Sequence, residues 1–357
     1  MSNRISSAAL PTSQTVLSAP NQTLDITGTS NLTFAATGSN DRITSIYDNA
    51  DTVTLGGPDE AYLSVGFPGN NDHVVVSGTG DTVAVGLSTI DLYGDRAFVT
   101  VLDTHTGDSP FTFGGGTVTA HGAGSDTVQG GGGAFVFHGD SGRYSVSGGT
   151  AVSATIDGGS GGGLFIGGQA APLFGPFNHR ANNMITAGAE RSTLVGSAYG
   201  TSVLTAKGSA GDVLQAGEFG QDTLSGGTSN GRNLLEGYQG PQHASTDPHP
   251  VRAITFMQAG QGNDTLVAGI GATTMVGGTG QDVFRFINNP ALGTATVLNG
   301  FVHGPDLIDL RGFAGTTNDI LSSATFAAGG TTLSLGNGAT VTVSGVTLTA
   351  ADITRTG

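Results

Sequence analysis

The sequence predicts an all-β chain: a right-handed parallel β-solenoid or β-roll with glycine-rich turns and a C-terminal β cap. Three observations predict it. Glycine supplies 62 of 357 residues without the Gly-X-Y period of collagen, while only 11% of residues are charged. No window carries the i, i+3, i+4, i+7 apolar stripe of an amphipathic helix, and Thr, Ser, Val and Gly dominate instead. Short Asp-x-apolar segments recur between glycine or Asn-Asp turns, as in a chain of short strands. With 37% apolar residues the chain is also too hydrophobic and too weakly charged for extended disorder.

Taken in order, residues 1–19 are small and polar and read as an N-terminal tail or docking strand. Their strand-competent part, Ser6 to Ala19, is suited to pairing with a neighbouring copy or to folding back on its own first turn. Residues 20–167 read as an irregular β-solenoid, with segments such as TLDITG from Thr23, DRITSI from Asp41, DHVVVSG from Asp72 and RYSVSGG from Arg143. A sandwich fits the same strand spacing and stays open for this half. The run around Ser160 matches G-x-S-x-G in form, but a nucleophile elbow needs a following helix and none is indicated. Residues 168–181 contain Pro172 and Pro176 and read as a joint.

Residues 182–290 read as a more regular β-roll. Asn183, Ser192, Ser202, Asp212, Asp222 and Asn233 each precede an apolar residue by two positions. The apolar residues, Ile185, Leu194, Leu204, Leu214, Leu224 and Leu235, are expected to form one inward ladder of six stacked turns. An insertion, residues 238–252, interrupts the array. Residues 291–357 read as the cap, in which Gly336-Asn337-Gly338 between alternating segments signals a hairpin.

The sharpest pattern runs from Ala259 to Arg285: AGQGNDTLV, AGIGATTMV, GGTGQDVFR. The third block fits G-G-x-G-x-D-x-U-x throughout, U being a large apolar residue, and the first departs only at Ala259. Gly260, Gly262, Gly277, Gly278 and Gly280 permit a tight loop that can turn carbonyls toward one point. Asp264 and Asp282 add carboxylates, and carboxylate with carbonyl oxygen is the ligand set of Ca²⁺. Leu266, Met275 and Phe284, two residues further on, are expected to point inward.

This stretch resembles the haemolysin-type, or repeats-in-toxin (RTX), family of secreted bacterial proteins. The resemblance implies two nine-residue blocks per turn, with Asp264 and Asp282, 18 residues apart, on one side of adjacent turns. It implies a calcium ion held by these carboxylates and the carbonyls of Gly260, Gly262, Gly278 and Gly280. Asp212 and Asp222 are weaker candidates. Thr273 makes the opposite side defective as a metal site. The resemblance also implies folding outside the cell after type I secretion without a cleaved N-terminal signal, the export signal lying in the C-terminal region.

Charge narrows the partners. A net charge of −15 with a single lysine, Lys207, argues against nucleic acid and anionic membrane surfaces. No apolar run is long enough to span a bilayer. The absence of cysteine removes disulfides, zinc–thiolate sites and thiol nucleophiles. No HExxH, P-loop or dinucleotide fingerprint occurs, and the eight histidines are scattered singly. In the insertion, Asp247-Pro248-His249 matches three residues of the active-site motif of RTX-bearing alginate epimerases, but the flanking aromatic and basic partners are missing. The expectation is a non-enzymatic, calcium-stabilised extracellular protein that self-assembles, as fibre, surface-layer or biofilm-matrix subunit, or an adhesin. The enzymatic alternative is a lyase or epimerase acting on acidic polysaccharide. It requires acidic, basic and aromatic residues clustered on one solenoid face.

Overall fold

The computed structural model describes residues 4–6, 15–27, 33–46, 52–57, 59–63, 72–85, 88–94, 96–101, 116–169, 181–228, 230–239, 253–288, 295–327, 329–336 and 338–355. The chain divides into two compact units, Met1–Leu173 and Phe174–Gly357. Asp247 and His249 of the insertion lie outside the described residues.

Within each unit, outside the C-terminal cap, consecutive strands alternate between two sheets, and strands two apart in the chain pair in parallel. Strand, corner, strand, corner therefore makes one coil, and the fold is a β-solenoid. In the first unit, Thr23–Thr27, Arg42–Ile46, Glu60–Leu63, Thr82–Val85 and Phe98–Val101 belong to one sheet, continued by Ser125–Gln129, Arg143–Ser147 and Gly163–Ile166. The strands between them in sequence, from Thr15–Leu17 to Ser153–Asp157, form the other. Every pairing described in this unit is parallel, which rules out a sandwich of hairpins. The N-terminal strand Arg4–Ser6 pairs with Thr23–Thr27, and Thr15–Leu17 with Thr33–Ala36. The described parts of the segment considered for docking on a neighbour thus pair with their own chain, and residues 7–14 lie outside the described residues.

Period-two alternation decides which residues enter the core. In the first unit Leu24, Ile43, Val83, Val99, Val128, Val146 and Phe165 stack in register on one sheet, all buried. Facing them, Phe34, Val53, Val74, Ile90, Val118, Phe137 and Ile156 stack on the other. Each such side chain contributes about 1.5–3 kcal/mol by leaving water.

In the second unit the expected single ladder is two ladders. Leu194, Leu214, Leu235, Leu266, Phe284 and Ile308 stack on the first sheet. Ile185, Leu204, Leu224, Met257, Met275 and Leu298 stack on the second. The six segments read as six turns make three coils, because each coil uses two of them.

The C-terminal cap follows from the same pairing rules. Thr340–Ser344 continues the second sheet in parallel beside Ala295–Asn299, then pairs antiparallel with Gly330–Ser334, which pairs antiparallel with Thr325–Ala327. Gly336 and Gly338, at φ of 86° and 85°, supply the left-handed backbone of the hairpin. One short helix, Thr317–Ser322, opens with a capping box in which Thr316 and Asp319 exchange hydrogen bonds. It is too short to show an apolar stripe.

Candidate functional site

In many coils the Asp-x-apolar segments place a carboxylate at or just before the start of a first-sheet strand, as at Asp41, Asp59, Asp81, Asp126, Asp212, Asp264, Asp282 and Asp306. With the apolar residue pointing inward, the residue two positions earlier points inward too, so these aspartates are buried. Burial of a carboxylate demands compensation. Here backbone amides provide it. Asn233 N–H donates to Asp264 Oδ1 at 2.8 Å, Asp264 N–H to Asp282 Oδ1 at 2.9 Å, and Asp282 N–H to Asp306 Oδ1 at 3.0 Å. Above them Ser192 N–H donates to Asp212 Oδ1 at 2.7 Å and Asp212 N–H to Asn233 Oδ1 at 3.0 Å. The first unit repeats the device: Gln22 N–H reaches Asp41, Asp41 N–H reaches Asp59, and Asp59 N–H reaches Asp81, at 2.9, 3.0 and 2.9 Å.

The second carboxylate oxygen takes an amide of its own loop. Gly260 N–H donates to Asp264 Oδ2 at 2.7 Å, Gly278 N–H to Asp282 Oδ2 at 2.9 Å, and Val302 N–H to Asp306 Oδ2 at 2.8 Å. Each carboxylate therefore ties its own loop closed and holds the preceding coil. Where Tyr144 takes the position aligned with Asp126, its hydroxyl reaches the amides of Asp140 and Gly142 instead, at 3.2 and 3.1 Å.

The loops turn amides, not carbonyls, toward Asp264 and Asp282. The Gly260 carbonyl accepts the Thr279 amide at 3.1 Å. A Cβ on Gly278 would lie 2.0 Å from the Gly260 oxygen, and one on Gly280 would lie 2.1 Å from that of Gly262. Glycine here lets successive coils approach closely. Among the described residues no group of three or more His, Asp or Glu is placed to hold a metal ion. The arrangement does not fit a resident calcium ion between Asp264 and Asp282.

The weaker candidates fall in different ladders. Asp212 belongs with Asp264. Asp222 lies on the second sheet, in a buried polar column with Asn183, Ser202, Thr255, Thr273 and Thr296. Asp222 Oδ1 accepts Ser202 N–H at 2.9 Å and Oδ2 accepts Gly217 N–H at 2.7 Å. Thr273, expected to mark a defective metal side, continues this column.

Burial raises several of these carboxyls. It pushes Asp222 up to about 6, against the pull of the Gly217 and Ser202 amides. It also pushes Asp81 up to about 6, with the Asp59 charge adding to the rise, and Asp81 Oδ2 is buried without a hydrogen bond of ordinary geometry. Asp59, Asp212, Asp264 and Asp306 are raised as well, burial again being the largest cause.

A second constellation lies on the outward face of the first unit and corrects the reading of scattered histidines. His73, Asp91 and His121 come from three successive strand levels of one sheet. His73 Nε2 lies 2.8 Å from Asp91 Oδ2, and His121 Nε2 lies 3.2 Å from Asp91 Oδ1. Burial alone would raise the Asp91 pKa, but hydrogen bonds from His73 and His121 outweigh it and hold the carboxyl below its ordinary value. Tyr93 stacks on His121 with ring centres 4.3 Å apart and planes 5° apart, and is 56% exposed. The result is a flat aromatic plate beside a carboxylate and two imidazoles, groups able to stack on an apolar ring face and to exchange hydrogen bonds with hydroxyls. The sequence separations, 18 and 30 residues, hide the cluster, since coil length is irregular in this half.

Comparison with protein-family models, curated proteins and solved structures finds no match. The RTX resemblance thus stands on the residues between Ala259 and Arg285.

Proposed function

We propose that the chain is a secreted structural protein, a self-associating β-solenoid serving as a subunit of a fibre, surface layer or biofilm matrix, or as an adhesin. The observation that supports this most is the amide–carboxylate ladder. Buried acidic residues of the repeats hold one coil to the next, and Asp264, Asp282 and Asp306 also close their loops, a use in cohesion. A framework of this kind carries regular sheet faces, on which lateral contacts form, and end-to-end contacts form where terminal strand edges are unpaired. Among the described residues no helix is long and apolar enough to cross a membrane. Light scattering and electron microscopy of the purified full chain test the reading. Concentration-dependent oligomers, filaments or sheets are expected, and a monomer at every concentration overturns it.

A second reading, a polysaccharide lyase or epimerase, is favoured by Tyr93, His121, His73 and Asp91, which bring aromatic, basic and acidic groups to one face. A screen on acidic polysaccharides decides. Product formation that is lost in His121→Ala and Tyr93→Ala supports it, and an inactive wild type sets it aside.

A further inference from the structure

The two outward sheet faces of the second unit differ in charge. On the first sheet, Glu236, Arg285 and Asp309 stand at outward positions, and Arg285 and Arg311 both bind Asp309. On the second sheet, no Asp, Glu, Lys or Arg occupies an outward position of the described strands from Ala181–Thr186 to Thr340–Ser344. Its central column, in register coil after coil, is Met184, Val203, Thr223, Phe256, Thr274 and Val297. Met184, Val203, Ile254 and Phe256 are exposed. Tyr199 and Phe219 stack at one end of the same face, with ring centres 5.2 Å apart and planes 16° apart.

We propose that this uncharged face is the docking surface for a second copy of the same chain, packed sheet against sheet. The inference rests on the self-association reading and names its surface. At a net charge of −15 per chain, two copies repel, and they approach at least cost where neither carries an ionised group. A second copy also has the same coil spacing, about 4.8 Å, so ridges of Met, Val and Phe meet rows of Thr and Ala at the same interval across a sheet separation of about 10 Å. A two-fold arrangement uses the face twice and leaves no apolar strip uncovered.

The test uses the full chain. Wild type is expected to run at a multiple of its 35.4 kDa mass in light scattering, and Val203→Glu with Phe256→Glu to run as the monomer with unchanged circular dichroism. Thr193→Glu, on the other sheet, should leave association intact. The chain has no cysteine, so Thr223→Cys supplies a single label even if the double variant misfolds. Its reaction with a maleimide should slow at least tenfold as the protein is concentrated into oligomers, whereas Thr193→Cys should react at a constant rate. Oligomers that persist in the double variant, or a Cys at 223 that reacts freely within oligomers, overturn the surface but not self-association. A monomeric wild type overturns both.

Discussion

The backbone N–H of Asp264 donates to Oδ1 of Asp282 at 2.9 Å, so these two acidic residues are joined through an amide. The stack is self-sufficient in hydrogen bonds at this point. Melting curves in excess EGTA and in millimolar calcium should therefore coincide. Asp282→Ala leaves the buried amide of Asp264 without its acceptor, at about 1–3 kcal/mol, takes the acceptor from the half-buried Gly278 amide as well, and should destabilise equally in both buffers. Thr273→Ala should cost less, about 1 kcal/mol. A melting temperature that climbs with calcium would restore the metal.

The raised carboxyls set the dependence of stability on pH. A group whose folded pKa lies above its unfolded value binds its proton more tightly when folded. Its contribution is complete below the unfolded pKa and is lost as pH rises through the folded one. For Asp81 and Asp222, pushed to about 6, the loss should fall across roughly pH 4 to 6, with a plateau above. Asp91, Asp309 and Asp352 have lowered pKa values, so their contribution disappears as pH falls below the ordinary carboxylate range. Urea midpoints should therefore peak near pH 4 and decline toward neutrality. Carboxylates ligating calcium would produce the opposite slope, because ligation needs them ionised.

Gly280 combines a φ of 131° with a Cβ position 2.1 Å from the Gly262 carbonyl oxygen. Gly280→Ala should cost more than about 3 kcal/mol, since the coils must separate to admit the methyl group. Gly304, at a φ of 94°, faces open space, and Gly304→Ala should cost only the backbone strain, about 1–2 kcal/mol. Thermal melts of the two variants separate close approach from conformational freedom.

Asp91 sits between two half-exposed imidazoles, so its ion pairs are worth little to the fold. Asp91→Ala should change stability at neutral pH by less than about 1 kcal/mol in denaturant titration. A large loss would mean that the cluster holds the sheet together, which would remove the argument for a ligand.

The inward apolar residues were legible because the Asp-x-apolar segments mark each strand and period two does the rest. Leu266 and Phe284 do stack 18 residues apart, and Met275 lies on the facing sheet. The direction of the loop peptides was not legible. A glycine-rich loop with a following aspartate can offer that carboxylate carbonyls around an ion or amides without one, and the composition is the same either way. Nor was the His73–Asp91–His121 cluster, since the register of coils of unequal length cannot be counted from sequence.

Alternation of consecutive strands between sheets gives the chain a parity. Deleting one nine-residue block would transfer every later strand to the opposite sheet, interchanging the charged face of the second unit with its uncharged one. Deleting a whole coil would shorten the stack and leave both faces where they were. The stretch between Leu234–Glu236 and Ile254–Gln258 leaves from one sheet and returns to the other, as any ordinary corner does, so its length is neutral with respect to parity. Growth or loss of this protein by duplication is thereby confined to pairs of strands, whereas its corners are free to accept insertions of any size.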